Sequence, residues 1–529
     1  MTRPIRTRRG TPLLLVTLLL LLIFLARFAF LLPNRTETDA TVPDTPQEMS
    51  SLQLEKGEVY VSDDFETHLP LVILDTGDDT PLANHVWDDE KGYAIPAEDF
   101  SYTYGTIRII DNSEGLNHIS DTPDVASEMR IRLRGNSSLS FPKKQYLIKL
   151  MDEDGNNSQQ DLLGMGADNE WILNISWYDP SLLRNYLAYT LAKDSNVLSP
   201  DVRYCEVVYR HGDTYEYLGV YLLMESVKRS EYRVDIPKYT SNQSLSFLLR
   251  RDRYDEESTI LSTYVQEQGF EDEYLEVLYP SKENITSDDI QRIEDKINKF
   301  EQVLYSDDDD VFLTYRDYID IDTFLDYFLI NELFLNYDAG FNSTYIYCDY
   351  TGRLCMGPIW DFDQAIANDQ VYTSDLNTTA FHNAPWFDRM LRDPAFVKEL
   401  VDRYAELREG AFSQERVDAL IEEACAYLGT AAQRDWNRWQ YDETIGERPY
   451  LSVPLSFEDE AENVRSILDQ HGSWLDQRLD SLYQFSDSEI VVEDPEEVNQ
   501  QKADAYGDFL AVVFIAAVVI SALLLQREF

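Results

Sequence analysis

The sequence predicts an α+β fold, because strand-like segments fill its first half and helical segments fill its second half. In the first half, short runs rich in β-branched and aromatic residues alternate with turns of Asp, Asn and Gly. From Asp288 onward, apolar residues recur at the three-to-four-residue spacing of helices. The chain has 529 residues and is 44% hydrophobic, so it can bury a large core.

The strand-like half is interrupted by one predicted helix at residues 181–193, where Leu183, Leu187 and Leu191 fall on one side. Clusters of turn-forming residues separate the remaining segments. The predicted strands are residues 69–74, 102–110, 129–134, 145–150, 206–209 and 219–224.

The second half is predicted to be mainly helical, with one interruption at residues 336–363. Within that segment, a hairpin is predicted from residues 344–348 and 354–359, which are joined by a polar turn. The predicted helices are residues 288–304, 321–335, 394–410, 413–431 and 456–483.

Two apolar segments near the chain ends predict membrane-spanning helices. Residues 11–32 follow a basic tail at 1–10 and are long enough to cross a bilayer, although a cleaved signal peptide is an alternative. Residues 508–525 form a second apolar run before the short tail at 526–529. A polar linker at 33–65 and an acidic linker at 487–507 would then flank a central domain at 66–486. We therefore expect a protein of the cell membrane whose large domain is extracytoplasmic.

Charge and cysteine content narrow the classes of function. The formal net charge is −52, which argues against nucleic-acid binding, since that requires a basic surface. The four cysteines form no CxxC pair, so a zinc site is not expected. They could form two disulfides in an oxidising compartment or remain free, buried thiols; the cysteines are Cys205, Cys348, Cys355 and Cys425.

The interrupting segment carries the first candidate site. Asp338 and Asn342 follow a predicted helix, and Asp361 and Asp363 follow the predicted hairpin within the sequence WDFD. Carboxylate and amide oxygens suit Mg²⁺, which takes its remaining ligands from water and phosphate. Asp and Asn are also common in turns and helix caps, so the pattern alone leaves both interpretations open.

A second candidate site lies at residues 131–150, where lysines cluster in an otherwise acidic chain and an anion could bind. A predicted strand breaks at Gly135, followed by Asn136 and Ser137, where backbone amides and hydroxyls can face an anion. Lys143, Lys144 and Lys149 follow within seven residues. An ordinary hairpin with solvent-facing lysines is the alternative interpretation.

A third candidate is the end of a predicted buried strand at residues 220–224. Glu225 follows it directly, and backbone groups at such a strand edge could bind a flat heterocycle. A core strand that ends in a surface glutamate explains the same pattern.

Together, these stretches resemble the CotH kinase family, which is related to protein kinases. The matching residues, in chain order, are Arg134-Gly135-Asn136-Ser137-Ser138 with Lys143-Lys144 and Tyr146-Leu147-Ile148-Lys149, Trp171-Ile172-Leu173 with Asp179 and Leu183-Arg184-Asn185, Gly219-Val220-Tyr221 with Glu225, and Asn336, Asp338 and Asn342 with Trp360-Asp361-Phe362-Asp363. The resemblance covers roughly residues 69–485.

The resemblance implies a protein-kinase-like, two-lobed domain, with a β-rich N-lobe and a mainly helical C-lobe, here between the two predicted transmembrane helices. It implies that ATP and Mg²⁺ or Mn²⁺ are the cofactors. By this analogy Asp338 is the catalytic carboxylate, and Asn342 and Asp361 hold the metal. Asp363 is a possible supporting residue. The implied nucleotide-binding residues are Arg134, Asn136, Ser137, Lys144, Lys149 and Glu225.

The chain departs from protein kinases in having neither GxGxxG nor HRD. Lys149 resembles the phosphate-contacting strand lysine, and Lys144 is its rival because strand alternation puts the two on opposite faces. The function implied is a membrane-anchored kinase that phosphorylates Ser or Thr of surface or envelope proteins. The alternatives are a non-catalytic assembly protein with a kinase-like scaffold, and a phosphotransferase that acts on a cell-wall acceptor.

Overall fold

Seven strands of the first half form a sheet that closes on itself. In this computed structural model, the residues described are 48–88, 93–112, 115–175, 177–240, 245–253, 258–269, 274–349, 351–368, 375–441 and 456–487. The strands are β1 (Tyr60–Val61), β2 (Glu66–Thr67), β3 (Leu71–Asp75), β4 (His85–Asp88), β5 (Tyr93–Pro96), β6 (Thr103–Ile110), β7 (Asn117–His118), β8 (Val125–Leu133), β9 (Tyr146–Met151), β10 (Gln160–Asp161), β11 (Ala167–Asp168), β12 (Glu170–Asn174), β13 (Val202–His211), β14 (Thr214–Glu225), β15 (Phe247–Arg251), β16 (Leu275–Tyr279), β17 (Thr344–Cys348) and β18 (Leu354–Met356).

The order of the closed sheet is β14-β12-β9-β8-β6-β3-β13, and β13 pairs again with β14. All neighbours are antiparallel except β13 and β3, which are parallel. A ring with an odd number of strands needs at least one parallel pair, because strand directions cannot alternate all the way around it. The short strand β1 pairs with the first part of β14, outside the ring.

Alternate residues of these strands fill the inside of the ring. Ile148 and Leu150 of β9 pack there with Trp171 and Leu173 of β12. Lys149 therefore points to the outer face of the sheet, because successive side chains of a strand point to opposite faces. This alternation decides which polar residues of β8, β9 and β12 can face the rest of the molecule.

The second half consists mainly of helices, with a small sheet in the order β16-β15-β17-β18. Side chains of Thr286, Asp320, Asp393, Ser413 and Ser456 accept hydrogen bonds from the first turns of five helices, so these helices begin where capping residues occur. The helices are α1 (Arg184–Ala192), α2 (Tyr264–Gln268), α3 (Ser287–Leu304), α4 (Asp309–Phe312), α5 (Ile321–Leu333), α6 (Phe387–Met390), α7 (Pro394–Arg408), α8 (Gln414–Trp439) and α9 (Phe457–Arg478).

Helix α8 is fastened to the closed sheet by two buried ion pairs. Asp435 accepts from the Lys143 ammonium at 2.7 Å and from the Val220 backbone N–H at 2.8 Å. Next to it, Arg434 binds Glu206 of β13 at 2.5 Å. Fully buried pairs of this kind are sensitive to the loss of either partner, which leaves an uncompensated charge.

The predicted two-lobed, kinase-like fold is wrong. The β-rich half is a closed ring because β13 pairs with both β14 and β3. Helix α8, from the second half, packs directly against β14 of this ring, and the described residues fall in one compact unit rather than in two lobes. Most of the predicted individual strands and helices are nevertheless present, with shifted ends.

Within the described residues, no helix is long and apolar enough to cross a membrane. The predicted spans at residues 11–32 and 508–525 lie outside those residues. The localisation therefore stays a prediction.

All four cysteines are free thiols. Cys348 of β17 pairs with Leu354, whereas Cys355 of β18 pairs with Tyr347. The two thiols therefore point to opposite faces of the hairpin.

Candidate active site

The loop between α5 and β17 carries Asp338 and Asn342. Buried hydrogen bonds fix its backbone: the Gly340 N–H donates to Thr344 Oγ1 at 2.7 Å, and Arg251 Nη1 donates to the Gly340 carbonyl at 3.0 Å. Gly340 has φ of 89°, which an L side chain rarely adopts. The loop is thus held in one conformation by its own side chains and by the end of β15.

Asp338 and Asn342 contact each other directly. Asn342 Nδ2 donates to Asp338 Oδ1 at 2.8 Å, and the Asn342 N–H donates to the Asp338 carbonyl at 2.9 Å. Both side chains are half-buried. The predicted catalytic carboxylate, Asp338, is therefore oriented by Asn342, one of the two predicted metal ligands.

Asp361, in the segment that follows β18, contacts this loop. Ser343 Oγ donates to Asp361 Oδ2 at 3.2 Å, and the Asp361 N–H donates to the Tyr189 hydroxyl at 3.1 Å. Burial, together with the nearby Asp338 carboxylate, raises the pKa of Asp361 to about 6, while Arg134 opposes this shift. The Asp338 carboxylate thus lies close enough to Asp361 to disfavour its ionised form.

Helix α1 holds the segment that contains Asp361. Besides the Tyr189 contact, Asn185 Oδ1 accepts from the Phe362 N–H at 2.8 Å. Arg184 Nε donates to the Ala365 carbonyl at 3.0 Å, and its charge is balanced by Asp179 at 2.6 Å and Glu460 at 3.0 Å. Three residues of one helix therefore bind the backbone within the WDFD sequence and just after it.

Arg134 comes to this site from the closed sheet. Its guanidinium lies 5.6 Å from the centre of the Trp360 ring, next to Asp361 in sequence. A short 3₁₀ turn, Ser137–Ser140, follows it, with Asn136 at its start. The structure thus brings together Arg134, Asp338, Asn342 and Asp361 from among the predicted residues; the side chain of Ser137 is not described.

The three lysines of the predicted anion site do not act together. Lys143 is fully buried in its ion pair with Asp435. Lys144 Nζ donates back to the Leu139 carbonyl at 2.8 Å, and Lys149 pairs with Glu170 of β12 at 2.7 Å. Of the three lysines, Lys149 is the one within β9, and its side chain lies on the outer face. Gln145, which contacts Arg134, lies on the same face.

Glu225 ends β14 and belongs to a separate buried group. Its Oε2 accepts from the Asp201 N–H at 2.8 Å, and Arg233 lies 3.9 Å from its Oε1. Burial raises the pKa of Glu225 to about 7. Arg233 also packs its guanidinium over Trp171 at 4.8 Å. The structure explains this glutamate by local contacts, and its role toward a nucleotide stays a prediction.

Sequence reasoning missed Ser343 and Asp252. Ser343 has φ of 50° and donates to Asp361, and a single serine after Asn342 gave no separate signal in the sequence. Asp252 follows β15; burial raises its pKa, and Asp338 is close enough to raise it further. Asp363 is half-buried, and burial together with Asp361 holds its pKa well above the usual range. Asp363 stays a candidate supporting residue.

No group of three Asp, Glu, His or Cys side chains in the described part of the chain is arranged as a ready-made metal site. The donor types nevertheless fit a divalent cation that takes most of its ligands from phosphate and water. The Asp361 carboxylate has both Asp338 and Arg134 nearby, and a cation would offset the excess of negative charge from the two carboxylates.

Comparison with known proteins identifies the family. The model of the CotH kinase proteins matches residues 131–478, about two thirds of the chain. The chain belongs to the CotH kinase family. No curated protein matches the chain. The family match begins just before Arg134 and includes Asp338, Asn342 and Asp361, so this CotH kinase carries its candidate site within the matched region and is a kinase-like protein.

Proposed function

We propose that this CotH kinase transfers the γ-phosphate of ATP to Ser or Thr hydroxyls of protein substrates. The observation that carries the proposal is one loop that orients two carboxylates at once. Asn342 holds Asp338 at 2.8 Å, and the adjacent Ser343 holds Asp361 at 3.2 Å. Phosphoryl transfer depends mainly on such positioning and on charge neutralisation.

Each residue has a distinct role in this proposal. Asp338 accepts the proton of the attacking hydroxyl and orients it, for which it needs a fixed carboxylate. Arg134, supported by Trp360, contacts the phosphates of the nucleotide. Lys149, on the outer face of β9, is the better lysine candidate for a further phosphate contact, because Lys144 is turned back to the Leu139 carbonyl.

Asn342 Oδ1 and the Asp361 carboxylate would hold Mg²⁺ or Mn²⁺, which when bound neutralises charge on the phosphates. The strongly acidic chain makes this neutralisation more important, since a net charge of −52 repels a polyanionic nucleotide.

The proposal is tested by incubating the purified full-length protein with γ-labelled ATP and Mg²⁺ or Mn²⁺, with and without added protein acceptors. We expect metal-dependent label on the protein itself or on an acceptor. Asp361→Ala should abolish the transfer, because the substitution removes a proposed metal ligand.

Circular dichroism and the unfolding midpoint serve as controls that the Asp361→Ala variant is folded. Full transfer by this variant would remove Asp361 from the mechanism. Label on a cell-wall polymer but on no protein would favour the non-protein acceptor, and no transfer to any acceptor would favour a non-catalytic scaffold.

A further inference from the structure

We propose that three amide side chains, Gln145, Asn174 and Asn185, form a hydrogen-bonded relay that sets the position of Arg134 relative to Asp361. This amide relay rests on the proposed function, since it gives these residues a positioning role in phosphoryl transfer. Neither the order of the sequence motifs nor the family match assigns a role to Gln145 or Asn174.

The first part of the relay starts at Arg134, at the end of β8. Arg134 Nη1 donates to Gln145 Oε1, and the Arg134 backbone N–H donates to the Gln145 carbonyl at 3.0 Å. Asn174 Nδ2 donates to the same Gln145 Oε1 at 3.0 Å. Gln145 therefore joins the phosphate-facing arginine to the end of β12.

The second part of the relay reaches the metal-binding segment. Asn185 Nδ2 donates to Asn174 Oδ1 at 3.4 Å, and Asn185 Oδ1 accepts from the Phe362 N–H at 2.8 Å. Phe362 directly follows Asp361 in the chain. An unbroken chain of hydrogen bonds thus connects the closed sheet, helix α1 and the backbone beside the proposed metal ligand.

The groups at both ends of the relay fix the orientation of each side-chain amide, that is, where its oxygen and its nitrogen lie. The Phe362 N–H can only donate, so it requires Asn185 Oδ1 and turns Asn185 Nδ2 toward Asn174. The Arg134 guanidinium also can only donate, so it requires Gln145 Oε1. A flipped amide anywhere would place two donors or two acceptors face to face. The relay therefore has one self-consistent arrangement.

Burial makes that arrangement stiff. The exposed fractions are 7% for Gln145, 7% for Asn174 and 2% for Asn185. Buried polar networks that are fully satisfied fix the geometry of their members, because each unpaired group would be costly. Small errors of position at a reacting centre lower rates strongly, so a stiff link between the phosphate-binding and metal-binding groups has a direct kinetic effect.

The test replaces the middle residue, Asn174, which contacts neither the proposed nucleotide nor the proposed metal directly. In the full-length protein, we expect Asn174→Leu to lower kcat/KM for ATP by roughly 10- to 100-fold, as loss of an outer partner of a metal ligand does elsewhere. The Mn²⁺ concentration that gives half-maximal transfer should rise as well.

The matched control is another buried asparagine. Asn117 of β7 is 0% exposed and donates to the Leu69 carbonyl at 2.8 Å. Asn117→Leu also removes buried hydrogen bonds, so it should lower the unfolding midpoint but leave the ATP KM and the Mn²⁺ requirement within about twofold of wild type. If Asn174→Leu does not fold, Asn174→Asp keeps the acceptor for Asn185 and replaces the donor to Gln145 with a carboxylate oxygen.

A folded Asn174 variant with wild-type KM for ATP and wild-type Mn²⁺ requirement would overturn the relay, while loss of activity in Asp361→Ala would leave the proposed function standing. If the wild-type protein transfers no phosphate, the proposed function fails. The relay is then judged from the binding of ATP and Mn²⁺, and Asn174→Leu must still raise both dissociation constants.

Discussion

Asp361 stands in a left-handed backbone conformation, with φ of 64°. Asp and Asn adopt this region more readily than most residues, whereas β-branched residues avoid it. Ser343, which donates to Asp361, also has a positive φ of 50°. Unusual backbone conformations at two residues in contact are held by surrounding hydrogen bonds, and such conformations often occur at functional sites.

The order of short motifs in the sequence predicted Asp338, Asn342 and Asp361, and the structure places these residues around one loop. The same reasoning left Lys144 and Lys149 as rivals for the phosphate contact, and it gave no sign that Lys143 is buried in an ion pair. The position of Lys143 depends on Asp435, which lies 292 residues further along the chain. No local pattern around a lysine indicates that such a distant carboxylate will bury it.

Glu225 provides a prediction on the pH dependence of stability. Burial raises its folded-state pKa to about 7 from a usual value near 4.5, so its protonated form is favoured in the folded state. The stability that Glu225 contributes to the folded state is fully present below the unfolded-state pKa, and it is lost as pH rises toward 7 and above. Between pH 5.5 and 8, we expect this group to lower the free energy of unfolding by about 2 kcal/mol.

Denaturant unfolding at both pH values checks this expectation in wild type and Glu225→Gln. The glutamine cannot ionise, so the variant should lose about 2 kcal/mol less than wild type over the same pH range. Equal losses in the two proteins would show that Glu225 does not titrate in this range.

At the scale of elements, the candidate site depends on one helix and one loop. Helix α1 binds the backbone of residues 361–365 through Arg184, Asn185 and Tyr189. The sequence predicted this helix from its apolar spacing, but the spacing carried no information on its polar contacts. Those contacts are made across more than 170 residues of chain, and only the folded structure defines them.

The loop that carries Asp338 can be tested at Gly340. A Cβ added there would lie 2.7 Å from Ala384 Cβ, and φ is already 89°. We expect Gly340→Ala to lower the free energy of unfolding by about 2–3 kcal/mol and to reduce transfer activity, because the loop must shift. Denaturant unfolding and initial rates of label transfer measure the two effects.

Gly155 is the matched control for this substitution. Its φ is similar, 82°, but an added Cβ would meet nothing within 4 Å. Gly155→Ala should therefore show only the backbone strain of about 1 kcal/mol, with normal activity. Equal effects of both substitutions would mean that the contact with Ala384 does not constrain the loop.

At the scale of the whole molecule, the site is assembled from both halves of the chain. Arg134 comes from the closed sheet, whereas Asp338 and Asp361 flank the β17–β18 hairpin of the helical half. The sequence indicated most of the individual strands, but not their closure into a ring. Closure depends on the parallel pairing of β13 with β3, and parallel pairing of distant strands has no local signal of the kind that marks a hairpin.

The central claim is that Asp338 is the catalytic carboxylate of an ATP-dependent phosphotransferase, and the most direct measurement compares chemistry with binding in Asp338→Asn. We predict that the single-turnover rate of phosphoryl transfer falls by roughly 100-fold or more, since asparagine cannot accept the proton of the hydroxyl. The dissociation constant of ATP should stay within about threefold of wild type. A wild-type transfer rate, or a loss of ATP binding as large as the loss of rate, would contradict the account.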